Sequence, residues 1–157
     1  MIVSLEALRD LLADAVADAD CEVGRVVVTA GRPAAPSGED EECRTAIFIF
    51  GDTVSDLNQS DEDSCLVRSR WAMQYEIWTC YSEAWEDVDD EDHEAAAACF
   101  YELMALAWCA VVEAYDSGEP FGSCENVELL PLQVQPRSGG AVSALGGVTI
   151  PYDCEVV

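Results

Sequence analysis

The side chains best suited to chemistry in this sequence are carboxylates, which cluster at 39–42, 61–63 and 83–94. Such clusters can bind Ca²⁺, and the EF-hand loop is the template to test. Read from Asp87, the sixth position holds Asp92 instead of Gly and the twelfth holds Ala98 instead of Glu. Read from Asp61, the twelfth position is Ala72. Carboxylate pairs also hydrolyse glycosides, but among 32 acidic residues such pairs arise by chance.

Other catalytic signatures are missing from the sequence. There is no Lys, which a phosphate-binding P-loop requires, and neither G-x-G-x-x-G nor G-x-S-x-G occurs. His93 is the only His and lies among carboxylates at a predicted helix start, where we interpret it as a solvated neighbour of those acids. We therefore expect a protein that is not an enzyme, with no catalytic residue, no cofactor and no metal.

Cysteine is abundant, with eight residues at 21, 43, 65, 80, 99, 109, 124 and 154. No two form C-x-x-C, and the spacing does not match a zinc finger. The N-terminus lacks the basic and apolar regions of a signal peptide, so a reducing cytosol is the expected compartment. We interpret the cysteines as reduced, small core residues, although their even number leaves disulfides possible.

The net charge of -25 restricts the partners of the protein. All seven basic residues are Arg, and five of them lie scattered in the sequence at Arg32, Arg44, Arg68, Arg70 and Arg137. They cannot form a basic footprint against this acidic background, so we expect no specific nucleic-acid binding and no contact with an anionic membrane. The absence of Lys fits either a GC-rich coding sequence or a salt-adapted host.

Hydrophobic periodicity predicts the first elements. Apolar residues at helical spacing predict a helix over 4–19 with Ser4 as its N-cap. Strands are predicted at Arg25–Ala30 and over Cys43–Val54, where the run Ala46–Phe50 is rich in strand formers.

The strand predicted over Leu66–Tyr81 has the clearest alternation in the sequence. Trp71, Met73 and Tyr75 belong to one face, while Arg68 and Arg70 are in phase with the other. At about 3.3 Å per residue the strand would approach about 50 Å. We therefore expect part of it to project as a hairpin arm or to cross a subunit boundary, with the two Arg side chains paired to carboxylates.

A long helix is predicted over Asp90–Tyr115, with the acidic run at its N-terminus complementing the helix dipole. Its segment Ala95–Val112 is interrupted by Glu102 and lacks basic flanks, so we do not interpret it as a membrane span. One apolar face comprises Phe100, Leu103, Ala107, Ala110, Val111 and Ala114, and a second comprises Tyr101, Met104, Trp108, Val112 and Tyr115. Two apolar faces require two partners: a sheet and, we expect, a second subunit.

The remaining sequence predicts strands at Val127–Gln135 and Gly140–Val157, the latter with a bulge or edge position at Gly146-Gly147 and Pro151. The resulting fold class is α+β, with a mainly antiparallel sheet packed against the long central helix and the N-terminal helix. We expect a single domain over 1–157 with acidic loops at 31–42, 56–64 and 82–90.

The order of elements resembles the tail terminator, or tail-completion, proteins of long-tailed noncontractile phages and related viruses. The resemblance lies in the N-terminal helix, the long strand, the Ala-rich helix and the closing strand GGAVSALGGVTIPYDCEVV. It implies a virion protein, assembled in the host cytoplasm, that forms a hexameric ring capping the tail tube and joining the head connector. The partners would be copies of itself, the tail tube protein and the head-tail connector protein.

A subunit interface is predicted from this resemblance together with the two apolar faces. Its candidate residues are Arg68, Arg70, Trp71, Tyr101, Met104, Trp108 and Tyr115. Two other binding functions stay open, a head-completion or connector protein and an acidic DNA mimic, and a carboxylate enzyme ranks below them.

Overall fold

The computed structural model describes residues 4–34, 45–55, 69–79, 90–118, 127–136 and 142–151. Within these ranges two helices and five strands follow in the order α1 (Leu5–Val16), β1 (Arg25–Val28), β2 (Ala46–Ser55), β3 (Ser69–Thr79), α2 (Asp90–Ser117), β4 (Glu128–Pro136) and β5 (Val142–Pro151). The predicted loops 56–64 and most of 31–42 and 82–90 lie outside the described residues.

The five strands form one sheet in the order β1-β2-β3-β5-β4. Only the β1–β2 pair is parallel, and the other three pairs are antiparallel. The α+β class with a mainly antiparallel sheet is therefore confirmed, including the long helix and the N-terminal helix that pack against it.

Both helices lie on one face of the sheet, with α1 against β1 and β2, and α2 against β3, β5 and β4. The core between the layers contains Leu8 and Leu12 from α1, Leu103 and Val111 from α2, and the inward-facing strand residues Ile47, Ile49, Met73, Tyr75, Ile77, Val148 and Ile150. Ser4 caps α1, because its hydroxyl accepts a 3.0 Å hydrogen bond from the Ala7 amide, as predicted.

The central strand β3 covers Ser69–Thr79 of the predicted strand Leu66–Tyr81, and the remaining residues lie outside the described ranges. Its residues pair with β2 on one side and with β5 on the other, and each of these neighbours is ten residues long. The described part of this strand is matched by its neighbours, and the hairpin arm or subunit crossing expected for another part of it stays a prediction. The strand is buried on both faces, since Met73 and Ile77 on the helix side and Ala72 and Trp78 on the other are all buried, which explains why apolar residues occur in both phases of its sequence.

The predicted edge or bulge at Gly146-Gly147 is corrected by the sheet order. Strand β5 is internal, and the register shift lies on its partner β4, between Leu130 and Gln133. The two glycines instead permit close approach of β3. A Cβ at Gly146 would lie 2.6 Å from the Tyr75 hydroxyl, and one at Gly147 (φ 153°) would collide with the Met73 carbonyl.

Candidate interaction surface

The long helix α2 has its first apolar face buried, as predicted. Phe100, Leu103, Ala107, Val111 and Ala114 are all buried in the core between the helices and the sheet. Their spacing of three and four residues keeps them on one side of the helix. This face fixes the rotation of α2 on the sheet and thereby determines which residues point outward.

The second apolar face of α2 is only half covered by the chain itself. Tyr101 is 59% exposed and Tyr115 39% exposed, so both aromatic side chains are partly open to solvent. Ala98 and Ala105 are exposed, and Met104, Trp108 and Val112 are half-buried. We call these seven residues the α2 outer face: Ala98, Tyr101, Met104, Ala105, Trp108, Val112 and Tyr115.

The α2 outer face points away from α1. On the opposite flank of the helix, Glu102 accepts a 3.0 Å hydrogen bond from the Asp20 amide, and Cys99 meets Cys21. Both contacts join α2 to the segment that follows α1. A rotation of about 100° per residue places Tyr101 and Trp108 on the far side of the helix from Cys99. The open aromatic face is thus one continuous flank of the molecule.

The sheet residues predicted for the same interface are less fully described. Arg70 and Trp71 lie in β3, where they pair with Pro151 and Ile150 of β5, but their side chains lie outside the described residues, as does all of Arg68. The side chain of His93 is likewise outside them. The structure therefore brings four predicted interface residues together on α2, namely Tyr101, Met104, Trp108 and Tyr115. Their role as an interface stays a prediction.

The segment Glu94–Ser117 of α2 is long and apolar enough to cross a membrane, with a mean hydropathy of 1.8. Length and composition alone cannot separate a membrane span from the core helix of a soluble protein. Here Leu103, Ala107 and Val111 pack in the core of an α+β layer structure. The expectation of no membrane contact stays a prediction.

A buried charged cluster on the other face of the sheet was missed by sequence reasoning. Glu76 of β3 is fully buried and accepts two hydrogen bonds from the Arg32 guanidinium, at 3.0 Å and 2.7 Å. The Ser143 hydroxyl donates a third, at 2.6 Å, to the same carboxylate. Arg32 also donates to the Gln135 side chain at 3.0 Å. The only sequence signal was a Glu within an otherwise apolar strand.

The cluster ties distant strands together because Arg32 follows β1 at one edge of the sheet, whereas Gln135 lies in β4 at the other. Hydrogen bonding to Glu76 raises the pKa of Arg32, and the nearby negative charge adds to this, while partial burial lowers it. The guanidinium of Arg32 therefore stays ionised at neutral pH. We interpret it as a structural clamp, because the bidentate geometry satisfies the carboxylate within the protein.

Two cysteines depart from the prediction of reduced core thiols. Cys21 and Cys99, which are 78 positions apart in sequence, form a disulfide with Cα atoms 5.5 Å apart. Cys109 is free but exposed, so it is not a core residue. The sequence gives no pairing signal, because a bridge between the end of α1 and the start of α2 depends on how the helices pack. Cys80 lies outside the described residues.

Exposed carboxylates form a row along α1. Glu6, Asp10 and Asp14 recur every four residues and are all exposed, which places them about 6 Å apart along the helix axis, and the exposed Asp18 follows just past the end of the helix. Arg9 pairs with Asp10 at 2.7 Å, on the surface. Among the described residues no group of three or more His, Cys, Asp or Glu side chains is arranged to hold a metal ion.

Comparison with known proteins identifies no relative by sequence. No protein-family model matches the chain, and no curated protein matches it. Among solved structures, one similar chain comes from the "Virion of native gene transfer agent (GTA) particle", with 12% sequence identity and a TM-score of 0.40 over 94% of this chain and 92% of that one. At this TM-score the likeness supports no statement about function.

Proposed function

We propose that this chain is a structural virion protein, a tail terminator that forms a ring of six copies, which caps the tail tube and joins it to the head connector. The observation that carries the proposal is the α2 outer face, which leaves Tyr101 and Tyr115 exposed on a helix already buried on its other side. The resemblance in element order supports the specific role. The α2 outer face would be the contact between neighbouring copies.

The chemistry of the α2 outer face suits a protein interface. Tyr, Trp and Met are enriched in interface cores, and exposed aromatic side chains release ordered water when they are covered. No residue of the α2 outer face between Glu94 and Glu113 is charged, whereas the molecule as a whole carries a net charge of -25. Contact through this flank therefore brings together the least acidic helical surface of each copy.

Electrostatic repulsion between copies opposes assembly. Each copy adds a net charge of -25, so a ring concentrates negative charge. Salt shortens the range of this repulsion from about 30 Å at 0.01 M to about 3 Å at 1 M. Assembly through an apolar contact should therefore strengthen as salt is added, whereas assembly held by surface ion pairs would weaken.

Light scattering and negative-stain electron microscopy of the purified protein test the ring directly. We expect closed rings at about 1 M salt and a shift toward smaller species at about 0.01 M. A stable monomer at both concentrations would refute the ring. Mixing preformed rings with tail tube protein or with connector protein then separates the terminator from a head-completion protein, because a terminator must bind both.

The acidic row on α1 favours a second candidate function, a DNA mimic that occupies a DNA-binding protein. Glu6, Asp10 and Asp14 present regularly spaced carboxylates to solvent, as a phosphate backbone presents charges. Replacing these three with Asn or Gln should abolish capture of a basic partner if the mimic is right. The same variant should assemble normally if the ring is right.

A further inference from the structure

We propose that Cys21 and Cys99 form a redox modification site, in which two thiols of the newly folded chain are oxidised to a disulfide that fastens α2 to the segment after α1. The Cα atoms are 5.5 Å apart, within the range that a disulfide requires. Both residues are half-buried. This inference rests on the described geometry and does not depend on the proposed ring.

The reduced pair is also accommodated by the fold. Cys21 Sγ lies 3.7 Å from the Cys99 carbonyl oxygen, so a thiol at this position has an acceptor at hand. The neighbouring hydrogen bond from the Asp20 amide to Glu102 holds the same two segments together without any sulfur chemistry. Folding can therefore precede oxidation, and the bond adds a covalent constraint to a contact that already exists.

Access to Cys21 is provided by a surface groove of about 490 Å³ between the end of α1 and β1. Its lining includes Cys21 together with Val16, Ala19 and Val23, and its rim carries Asp20 and Glu22. A small thiol or disulfide that enters this groove lies next to Cys21. Half-burial alone would leave the bond inert, whereas an open groove makes exchange possible.

The chemistry needs a low-molecular-weight disulfide as the oxidant. The Cys21 thiol releases its proton to solvent, and the thiolate attacks the reagent disulfide, forming a mixed disulfide and expelling one reagent thiolate. The Cys99 thiol then loses its proton, and its thiolate attacks the Cys21 sulfur and expels the second reagent thiolate. The two protein thiols lose two electrons and two protons, which reduce the reagent disulfide to two thiols.

The acidic rim determines which reagents react quickly. Asp20 and Glu22 line the same groove as Cys21, and Glu102 accepts a hydrogen bond from the Asp20 amide, so an anionic reagent in the groove approaches within a field of the same sign. Local fields of this kind change association rates by about tenfold or more at low salt. Anionic thiols such as glutathione therefore react more slowly with the disulfide than neutral or cationic thiols do.

Peptide mapping of the full-length protein after treatment with oxidised dithiothreitol tests the bond. We expect a crosslinked peptide pair containing Cys21 and Cys99, and a melting temperature that falls by roughly 5–15 °C on reduction. The variant C21S/C99S should lose this sensitivity, and C109S, which alters a free exposed cysteine on the same helix, should keep it. Free Cys21 and Cys99 after oxidation, or an equal fall in C21S/C99S, would overturn the proposal.

Reduction rates test the acidic rim separately. At about 0.01 M salt the cationic thiol cysteamine should cleave the bond about tenfold faster than the anionic mercaptoethanesulfonate, after correction for their thiolate concentrations. Salt at about 1 M should remove most of this difference. Equal rates at low salt would overturn the selection by charge.

Discussion

Glu76 places a charged side chain in the interior of the protein, on the central strand of the sheet. Its carboxylate is fully buried and is satisfied by Arg32 and Ser143, whereas Arg32 is about one-third exposed. The two partners are therefore not equivalent. Loss of Arg32 leaves a negative charge without its cation in the interior, whereas loss of the Glu76 charge leaves a cation that water can still reach.

This asymmetry predicts that Arg32→Ala destabilises the protein more than Glu76→Gln. We expect Arg32→Ala to cost about 3 kcal/mol and Glu76→Gln about 1 kcal/mol of unfolding free energy. Urea unfolding of both variants and of the double variant measures the difference and the coupling. A larger loss for Glu76→Gln would contradict the clamp as described.

Tyr75 differs from Glu76, because its buried hydroxyl beneath Gly146 has no hydrogen-bond partner among the residues that the structure describes. Burial raises the pKa of Tyr75 above its ordinary value of 10.0. In the unfolded chain the phenol ionises near that ordinary value, while in the folded protein it stays neutral. The contribution of the neutral, buried phenol to the free energy of unfolding is therefore complete below the ordinary pKa of Tyr. It is lost as the pH rises above that value.

The variant Tyr75→Phe should remove this alkaline loss. At neutral pH we expect a change of less than about 1 kcal/mol, because the deleted hydroxyl has no partner to leave behind. Chemical unfolding at about pH 8 and about pH 11 compares the two proteins across the ordinary Tyr pKa. Equal alkaline losses in wild type and Tyr75→Phe would contradict the burial effect.

Features that depend on residues close together in sequence were predicted correctly, whereas contacts between residues far apart in sequence were not predicted. The Ser4 cap depends on residues three positions apart, and the two faces of α2 depend on helical spacing. The Arg32–Glu76 clamp and the Cys21–Cys99 bridge join residues 44 and 78 positions apart. Such pairs depend on sheet order and helix packing, which periodicity does not encode.

At the scale of elements, α1 is a short helix whose start depends on Ser4. The capping hydroxyl satisfies an amide that the first turn would otherwise leave to solvent. Replacing Ser4 with Ala should cost about 1 kcal/mol, while Ser4→Asp, which keeps an acceptor at the cap, should cost little. Thermal unfolding followed by circular dichroism measures both. Equal losses in the two variants would show that the cap is not the cause.

The lengths of the elements show what alternation can and cannot predict. The pattern over Leu66–Tyr81 correctly predicted a strand and the face that carries Met73 and Tyr75. It could not predict that β2 and β5 would match the strand so closely that it lies at the centre of the sheet. Pairing partners are a property of topology, whereas alternation reports only which side chains share a face.

At the scale of the whole molecule, two properties oppose each other. A net charge of -25 keeps copies apart, while the α2 outer face favours contact with another apolar surface. The sequence indicated both properties, because charge and helical periodicity are local quantities. The contacts of Cys99 and Glu102 orient α2 and direct its aromatic face away from α1. These contacts therefore determine which flank of the helix stays open to solvent.

The central claim is that the α2 outer face joins copies of this chain, and a matched pair of variants tests it. Ala105 is exposed on this face, and Ala17 is exposed at the end of α1, on the other flank. Both Ala→Arg changes alter the net charge equally, and the added positive charge should reduce repulsion between copies.

Light scattering at about 1 M salt, where charge repulsion is screened to about 3 Å, measures the mass of the assemblies. Thermal unfolding of each variant first establishes that it folds. The account predicts that Ala105→Arg is reduced to single copies while Ala17→Arg assembles as the wild type does. Assemblies of wild-type mass in folded Ala105→Arg would contradict it.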